Sequence, residues 1–389
     1  MTSSFSERLA RINPQGQVPK TDPHQSNPTK DNASNTLASL RPWVLEDTPY
    51  GKARIYRARL GQQRTATLPS LHTLVGDERL QGFEMKQALY LDIEATGLSH
   101  GAGTLAFLIG MSFWKDDGLW LEQIFVDSPS NEMACLSAFL KRLDAFPYLV
   151  SFNGKSYDLS VLQTRLVLNR LLSEEQSNIK LRPHLDLLHT ARQAYRDVFE
   201  NTRLQTLERE VLKLDPSIRA DDVPGSLVPA LYFHFLQTGL VSPLDGVLKH
   251  NHTDTTSLVS LTDHLLELLR PGWENIHPQI LYNLGRTALR RKLYDRAVVL
   301  LEMAQQSQGN DARGDTRQAA LSLIVAYRRL GRPHDALNAA YTARRLTPPS
   351  DHKEIARLSR QIDRFQKQAT RSKRADTSPQ ALDRRPCDA

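Results

Sequence analysis

The sequence predicts an α/β domain, a mixed sheet with flanking helices, followed by an all-α segment of repeated helices. Three observations carry this. Between Gln87 and Val126, three apolar, β-branched and aromatic runs are separated by glycine-containing turns, the mark of an antiparallel meander. From Asn131 to Leu269 helical and strand periodicities alternate, so helices cover both faces of the sheet. After Pro271-Gly272 the period is helical throughout, and small residues recur along it.

Taken in order, residues 1–40 are rich in Ser, Asn, Pro, Lys and Gln without periodicity and read as a disordered arm. A globular domain is expected over residues 45–269. Its strands are "ALYLDIE", "TLAFLIGMSFW" and "GLWLEQIFV", then a helix "NEMACLSAFLKRLDAF" with Ser130 expected as its N-cap. "YLVSF" reads as a short buried strand, "YDLSVLQTRLVLNRLL" as an amphipathic helix and "HLDLL" as a further strand.

Over residues 275–366, Gly285, Ala297, Ala304, Ala336, Ala340 and Ala343 fall where the roughly 34-residue tetratricopeptide template needs small side chains between paired helices. Ala297 and Ala336 are 39 residues apart, which makes "QSQGNDARGDTR" an insertion between repeats. Plain helical hairpins that use alanine for close packing are the alternative. "HKEIARLSRQIDRFQK" is expected to cap the array, and residues 367–389 to form a disordered basic tail.

The balance of 50 Lys and Arg against 43 Asp and Glu, net +7, favours polyanion partners without selecting one. Cys135 and Cys387 are too few for a disulfide framework or a thiolate zinc site, which fits a reducing, cytoplasmic setting. The N-terminus lacks a signal-like apolar core, and no apolar run is long enough to span a bilayer.

The chemistry centres on acidic residues. Asp92 and Glu94 alternate along a strand and so share one face. Asp158 opens a helix after "SFNGKSY", and Asp254 lies one helical turn beyond His250 in "LKHNHTDTT". These four acids come from three segments that a mixed sheet can bring to one edge. Four like charges in one cleft need cations to be stable. Each alone is also an ordinary strand-end or helix-start residue.

"LDIEATGL", "FNGKSYD" and "HNHTD" resemble, in order, the three exonuclease motifs of the DEDD superfamily, which has a ribonuclease H-like fold. Within it the chain is similar to the bacterial YprB-type proteins, through "HLDLLHTAR", "LQTLEREVLKL" and "DDVPGSLVPALYFHFLQTG" as well. The resemblance implies a metal-dependent nuclease, a 3′–5′ exonuclease on single-stranded DNA or RNA. Two Mg²⁺ or Mn²⁺ ions would be held by Asp92, Glu94, Asp158 and Asp254, with Asp92 bridging both. His250 would be the general base, although its spacing to Asp254 is that of the family's tyrosine branch. Thr96, Gly97 and Leu98 would line the substrate entrance, and Asn153 would either touch substrate or cap its own turn. The competing function is a catalytically weak or inactive nucleic-acid-binding scaffold that recruits a protein partner through its repeats.

Overall fold

The computed structural model describes residues 41–62, 65–68, 70–97, 101–172, 178–273, 275–306 and 313–376. The expected N-terminal arm lies outside the described residues. Seven strands form one sheet in the order β1-β2-β5-β4-β3-β6-β7. They are β1 (Trp43–Thr48), β2 (Gly51–Gly61), β3 (Ala88–Ala95), β4 (Ala106–Lys115), β5 (Gly118–Phe125), β6 (Tyr148–Ser151) and β7 (His184–Asp186). β1 through β5 pair antiparallel, and β3, β6 and β7 run parallel, so the sheet is mixed as the sequence predicts.

Twelve α-helices are described: α1 (Leu71–Val75), α2 (Glu132–Asp144), α3 (Asp158–Leu168), α4 (Leu187–Tyr195), α5 (Leu204–Glu210) and α6 (Val228–Thr238), then α7 (Asp245–Leu269), α8 (Pro278–Arg290), α9 (Tyr294–Gln306), α10 (Arg313–Arg329), α11 (Pro333–Leu346) and α12 (His352–Asp376). Alternation along β3 decides the layers. Leu89, Leu91 and Ile93 enter a core shared with α2, α3 and α6, whereas Ala88 and Tyr90 enter a second core with α4 and α7. Asp92 and Glu94 therefore face the α7 side.

One element was not foreseen, and two local expectations change. The hairpin β1–β2 extends the sheet ahead of the meander. Its arginines neutralise distant acids: Arg54 Nε donates to Asp127 Oδ2 at 2.7 Å and Arg57 Nε to Glu122 Oε1 at 2.9 Å. Ser130 is not the cap of α2; it sits in a 3₁₀ turn, Pro129–Asn131, with its Oγ 2.8 Å from Ser128 Oγ. Only the first three residues of "HLDLL" are strand, because Asp186 accepts the Leu188 N–H at 3.1 Å and starts α4.

After the sheet, α8 to α12 pack in succession, each against the next. Gly285 on α8 permits the closest approach, since a Cβ there would lie 2.7 Å from Leu301 Cγ on α9. Ala297, Ala336, Ala340 and Ala343 are fully buried between helices. Asn283 on α8 donates to the carbonyls of Ala194 (3.0 Å) and Arg196 (2.7 Å), fastening the helical segment to the sheet domain. α12 continues to Asp376, past Lys367, where a disordered tail was expected to begin.

Candidate active site

Asp92 sits in a cross-strand row. It pairs with Gly110 on β4, which pairs with Gln123 on β5. α7 lies over this row and sets Asn251 on it. Asn251 Nδ2 donates to Asp92 Oδ2 at 2.8 Å and to the Asp92 carbonyl at 3.2 Å, and Gln123 Nε2 donates to Asn251 Oδ1 at 2.8 Å. Gly110 makes the approach possible, because a Cβ there would lie 2.1 Å from Asn251 Oδ1. Glu94, on the same face, makes no hydrogen bond or ion pair among the described residues.

Asp158 begins α3, where the helix N-terminus favours negative charge. The Ile93 N–H donates to Asp158 Oδ1 at 3.2 Å and ties the helix start to β3 between Asp92 and Glu94. Asp186 pins the preceding loop. Its carboxylate accepts the N–H groups of Asn153 (2.8 Å) and Lys155 (3.1 Å). Asn153 adopts φ 66°, a left-handed conformation that asparagine tolerates better than most residues.

Asp254 and His250 lie on one face of α7, with His250 Nε2 3.4 Å from Asp254 Oδ2. His250 Nδ1 stands 3.1 Å from Asp222 Oδ1. Arg219 completes the group: its guanidinium is 2.5 Å from both Asp254 Oδ1 and Glu208 Oε1, and 3.0 Å from His250 Nδ1.

The electrostatics follow from this crowding. Burial, reinforced by Asp254, Asp158 and Glu94, raises the Asp92 carboxyl well above the usual range. Burial lifts Glu94 to about 8, against the opposing pull of His250. Asp158 rises to about 7, again through burial, although main-chain N–H groups favour its charge. Burial raises Asp254 as well, opposed by His250 and Arg219. For His250, burial works against the charged form, but Asp254, Glu94 and Asp222 outweigh it and raise the imidazole.

Among the described residues, no three acidic, imidazole or thiol side chains already converge closely enough to hold an ion. The donor set nevertheless fits a hard divalent cation. It is all carboxylate, each acid resists ionisation as it stands, and Glu94 has no partner.

Of the residues expected at the entrance, Thr96 Oγ1 accepts the Leu105 N–H at 2.9 Å, and the Gly97 carbonyl accepts the Tyr157 hydroxyl. Leu98 lies outside the described residues. Asn153 Oδ1 accepts the Ser156 hydroxyl at 2.8 Å, so its side chain serves its own turn. Sequence reasoning missed Asn251, Gln123, Arg219 and Asp222. Asn251 stood inside "HNHTD" and Asp222 inside "DDVPG", but nothing in either string says that they meet Asp92 and His250.

Residues 89–266 match the RNase_H superfamily, a span that runs from β3 to α7 and includes all four carboxylates. The chain is 31% identical over 258 residues to "Uncharacterized protein YprB" of Bacillus subtilis (strain 168), covering 66% of this chain and 60% of that protein. The chain thus spans less than two thirds of the curated relative it matches. No helix among the described residues is long and apolar enough to cross a membrane. The mixed sheet, its flanking helices and this match agree: residues 89–266 form a domain of the RNase_H superfamily.

Proposed function

We propose that this protein is a metal-dependent nuclease that hydrolyses phosphodiester bonds of single-stranded DNA or RNA, as a 3′–5′ exonuclease of the DEDD type. The observation that carries the reading is the grouping of Asp92, Glu94, Asp158 and Asp254 within electrostatic reach of one another. Acids raised by burial, with their mutual repulsion added to it, mark sites built to be charge-compensated on binding.

Asp92, Glu94, Asp158 and Asp254 would hold two Mg²⁺ or Mn²⁺ ions. Bound there, the ions supply Lewis-acid relief of the developing negative charge and lower the pKa of an attacking water. The chain's own groups do the rest. Asn251 fixes the Asp92 carboxylate from above the sheet. Asp222 engages His250 at Nδ1 and so directs Nε2 toward the carboxylates. His250 Nε2 then takes the water proton, a step suited to an imidazole. The sheet and α7 partly cover Asp92, and the reduced hydration strengthens each of these interactions.

Oligonucleotides labelled at the 3′ or the 5′ end, incubated with Mn²⁺ and the intact protein beside an Asp92→Asn form, test the reading. Stepwise loss from the 3′ end by the intact protein alone is expected. Equal cleavage by the variant, or none by either, refutes it.

One observation favours a second reading. Arg219 already stands on Asp254, as it would in a scaffold that had given up metal. In that case Mn²⁺ titration by calorimetry shows no binding that depends on Asp92. The paired helices α8–α9 and α10–α11 would then serve chiefly as tetratricopeptide-type docking units for a protein partner.

A further inference from the structure

The charge of this chain is divided unevenly. Residues 89–266, which contain the candidate site, hold 15 Lys and Arg against 22 Asp and Glu, a net of −7. A surface of that sign repels a polyanion. Residues 313–376 hold 15 Lys and Arg against 6 Asp and Glu, a net of +9, which exceeds the +7 of the whole chain. The largest share of the chain's positive excess therefore lies in α10, α11 and α12 rather than beside the carboxylates.

Within that segment the turn between α10 and α11 meets α12 in a recess of about 380 Å³, lined by Arg328, Gly331, Arg332, Arg364, Phe365 and Gln368. Phe365 is buried. Gly331, at φ 69°, adds no side chain. Arg332 is held in place: its Nε donates to Asp335 Oδ2 at 2.7 Å and its guanidinium lies 4.9 Å from the Tyr327 ring centre. Asp335 thus neutralises Arg332. Arg328 and Arg364 have no acidic partner among the described residues and are exposed.

We propose that this recess anchors the phosphate backbone of the nucleic-acid strand, with Arg328 and Arg364 donating to phosphate oxygens. Planar guanidinium groups suit that contact because two N–H donors meet two oxygens of one phosphate. The contact proposed is to phosphate and sugar, which fixes the strand's position and carries no sequence information. The anchor rests on the nuclease reading only in that the bound strand is the substrate.

The test measures binding of a fluorescein-labelled single-stranded oligonucleotide by the full chain in EDTA, over a series of salt concentrations. EDTA prevents metal-dependent cleavage, so binding is read alone. Arg328→Gln/Arg364→Gln should weaken binding about tenfold and lower the slope of log K against log salt by about 1.4, about 0.7 for each lost phosphate contact. Arg328→Lys/Arg364→Lys should keep most of that slope. Lys52→Gln/Arg59→Gln on the β1–β2 hairpin should leave it unchanged. Photocrosslinking of 4-thiouridine-containing RNA to the unmodified protein gives a readout independent of how the variants fold, and crosslinks on α10 to α12 are expected. An unchanged slope in the glutamine pair, or crosslinks confined to residues 41–269, overturns the anchor. So does displacement of the oligonucleotide by polyglutamate at equal charge without any crosslink to α10–α12, which assigns the recess to an acidic protein. A protein that cleaves nothing can still pass this test. One that cleaves normally, yet whose binding ignores Arg328 and Arg364, fails only this proposal.

Discussion

Arg219 Nη2 lies 2.5 Å from Asp254 Oδ1 and 2.5 Å from Glu208 Oε1, so one guanidinium answers two acids at the cleft edge. Removing one partner of a largely buried ion group leaves the others uncompensated. Arg219→Gln should therefore lower the stability of the metal-free protein by about 3–5 kcal/mol. With the internal cation gone, Mn²⁺ should raise the melting temperature of the variant by more than it raises that of the parent. Thermal melts with and without Mn²⁺ decide this, and equal metal-induced shifts would show that Arg219 does not compete for the site.

Gly110 gives a prediction opposite in sign to the usual one. Alanine in place of glycine within a strand ordinarily stabilises by about 0.5–1 kcal/mol. Here the added methyl meets Asn251 Oδ1, so Gly110→Ala should destabilise by about 1–3 kcal/mol. Displacing Asn251 from Asp92 should also reduce cleavage about 10–100-fold, as for loss of a residue that orients a metal ligand. Gly110→Ala/Asn251→Ala should recover part of the stability and none of the activity. A double-mutant cycle with no coupling energy would contradict the packing described.

The pH dependence of stability follows from Glu94, at about 8, and Asp158, at about 7. Both values lie above the unfolded values of about 4. Between those limits the folded protein holds more protons than the unfolded chain, so stability falls as pH rises. The contribution is complete below about pH 4 and gone above about pH 8. Divalent metal should flatten this trend, because it takes the place of the protons. Melting temperatures of the metal-free protein that rise across the window would contradict the crowding of these acids.

Asp186 holds the loop before Asp158 through the N–H groups of Asn153 and Lys155, and caps α4 through that of Leu188. Asp186→Ala leaves those donors without their acceptor and should cost about 1–3 kcal/mol. In urea titrations the midpoint should fall while the slope stays the same. Cleavage should weaken too, although none of the four carboxylates proposed to hold metal is altered. Full activity in a destabilised variant would separate the loop from the chemistry.

Much of this was legible in the residues. β3, β4, β5 and β6 announce themselves through contiguous apolar runs, and "LDIEATGL", "FNGKSYD" and "HNHTD" mark the acids that the fold gathers. The β1–β2 hairpin was not legible, because Arg54 and Arg57 break its apolar pattern and find Asp127 and Glu122 only across the sheet. Asn251 is similar. Its spacing marks a buried helix face, but its bond to Asp92 exists only because residue 110 lacks a side chain. Arg219 belongs to a short 3₁₀ turn with no periodicity, 35 residues from the acid it contacts.

The scatter of the four acids along the chain also sets an order in time. Asp92 and Glu94 leave the ribosome early, Asp158 later, and Asp254 last, on the helix that closes the sheet domain. Synthesis proceeds at about 5–20 residues per second, so about 8–32 seconds separate the first acid from the last. During that interval the nascent chain carries only part of the carboxylate set, held in no fixed geometry. Until α7 docks, Asn251, His250 and Asp254 are missing from the sheet edge, and the four-acid group does not yet exist.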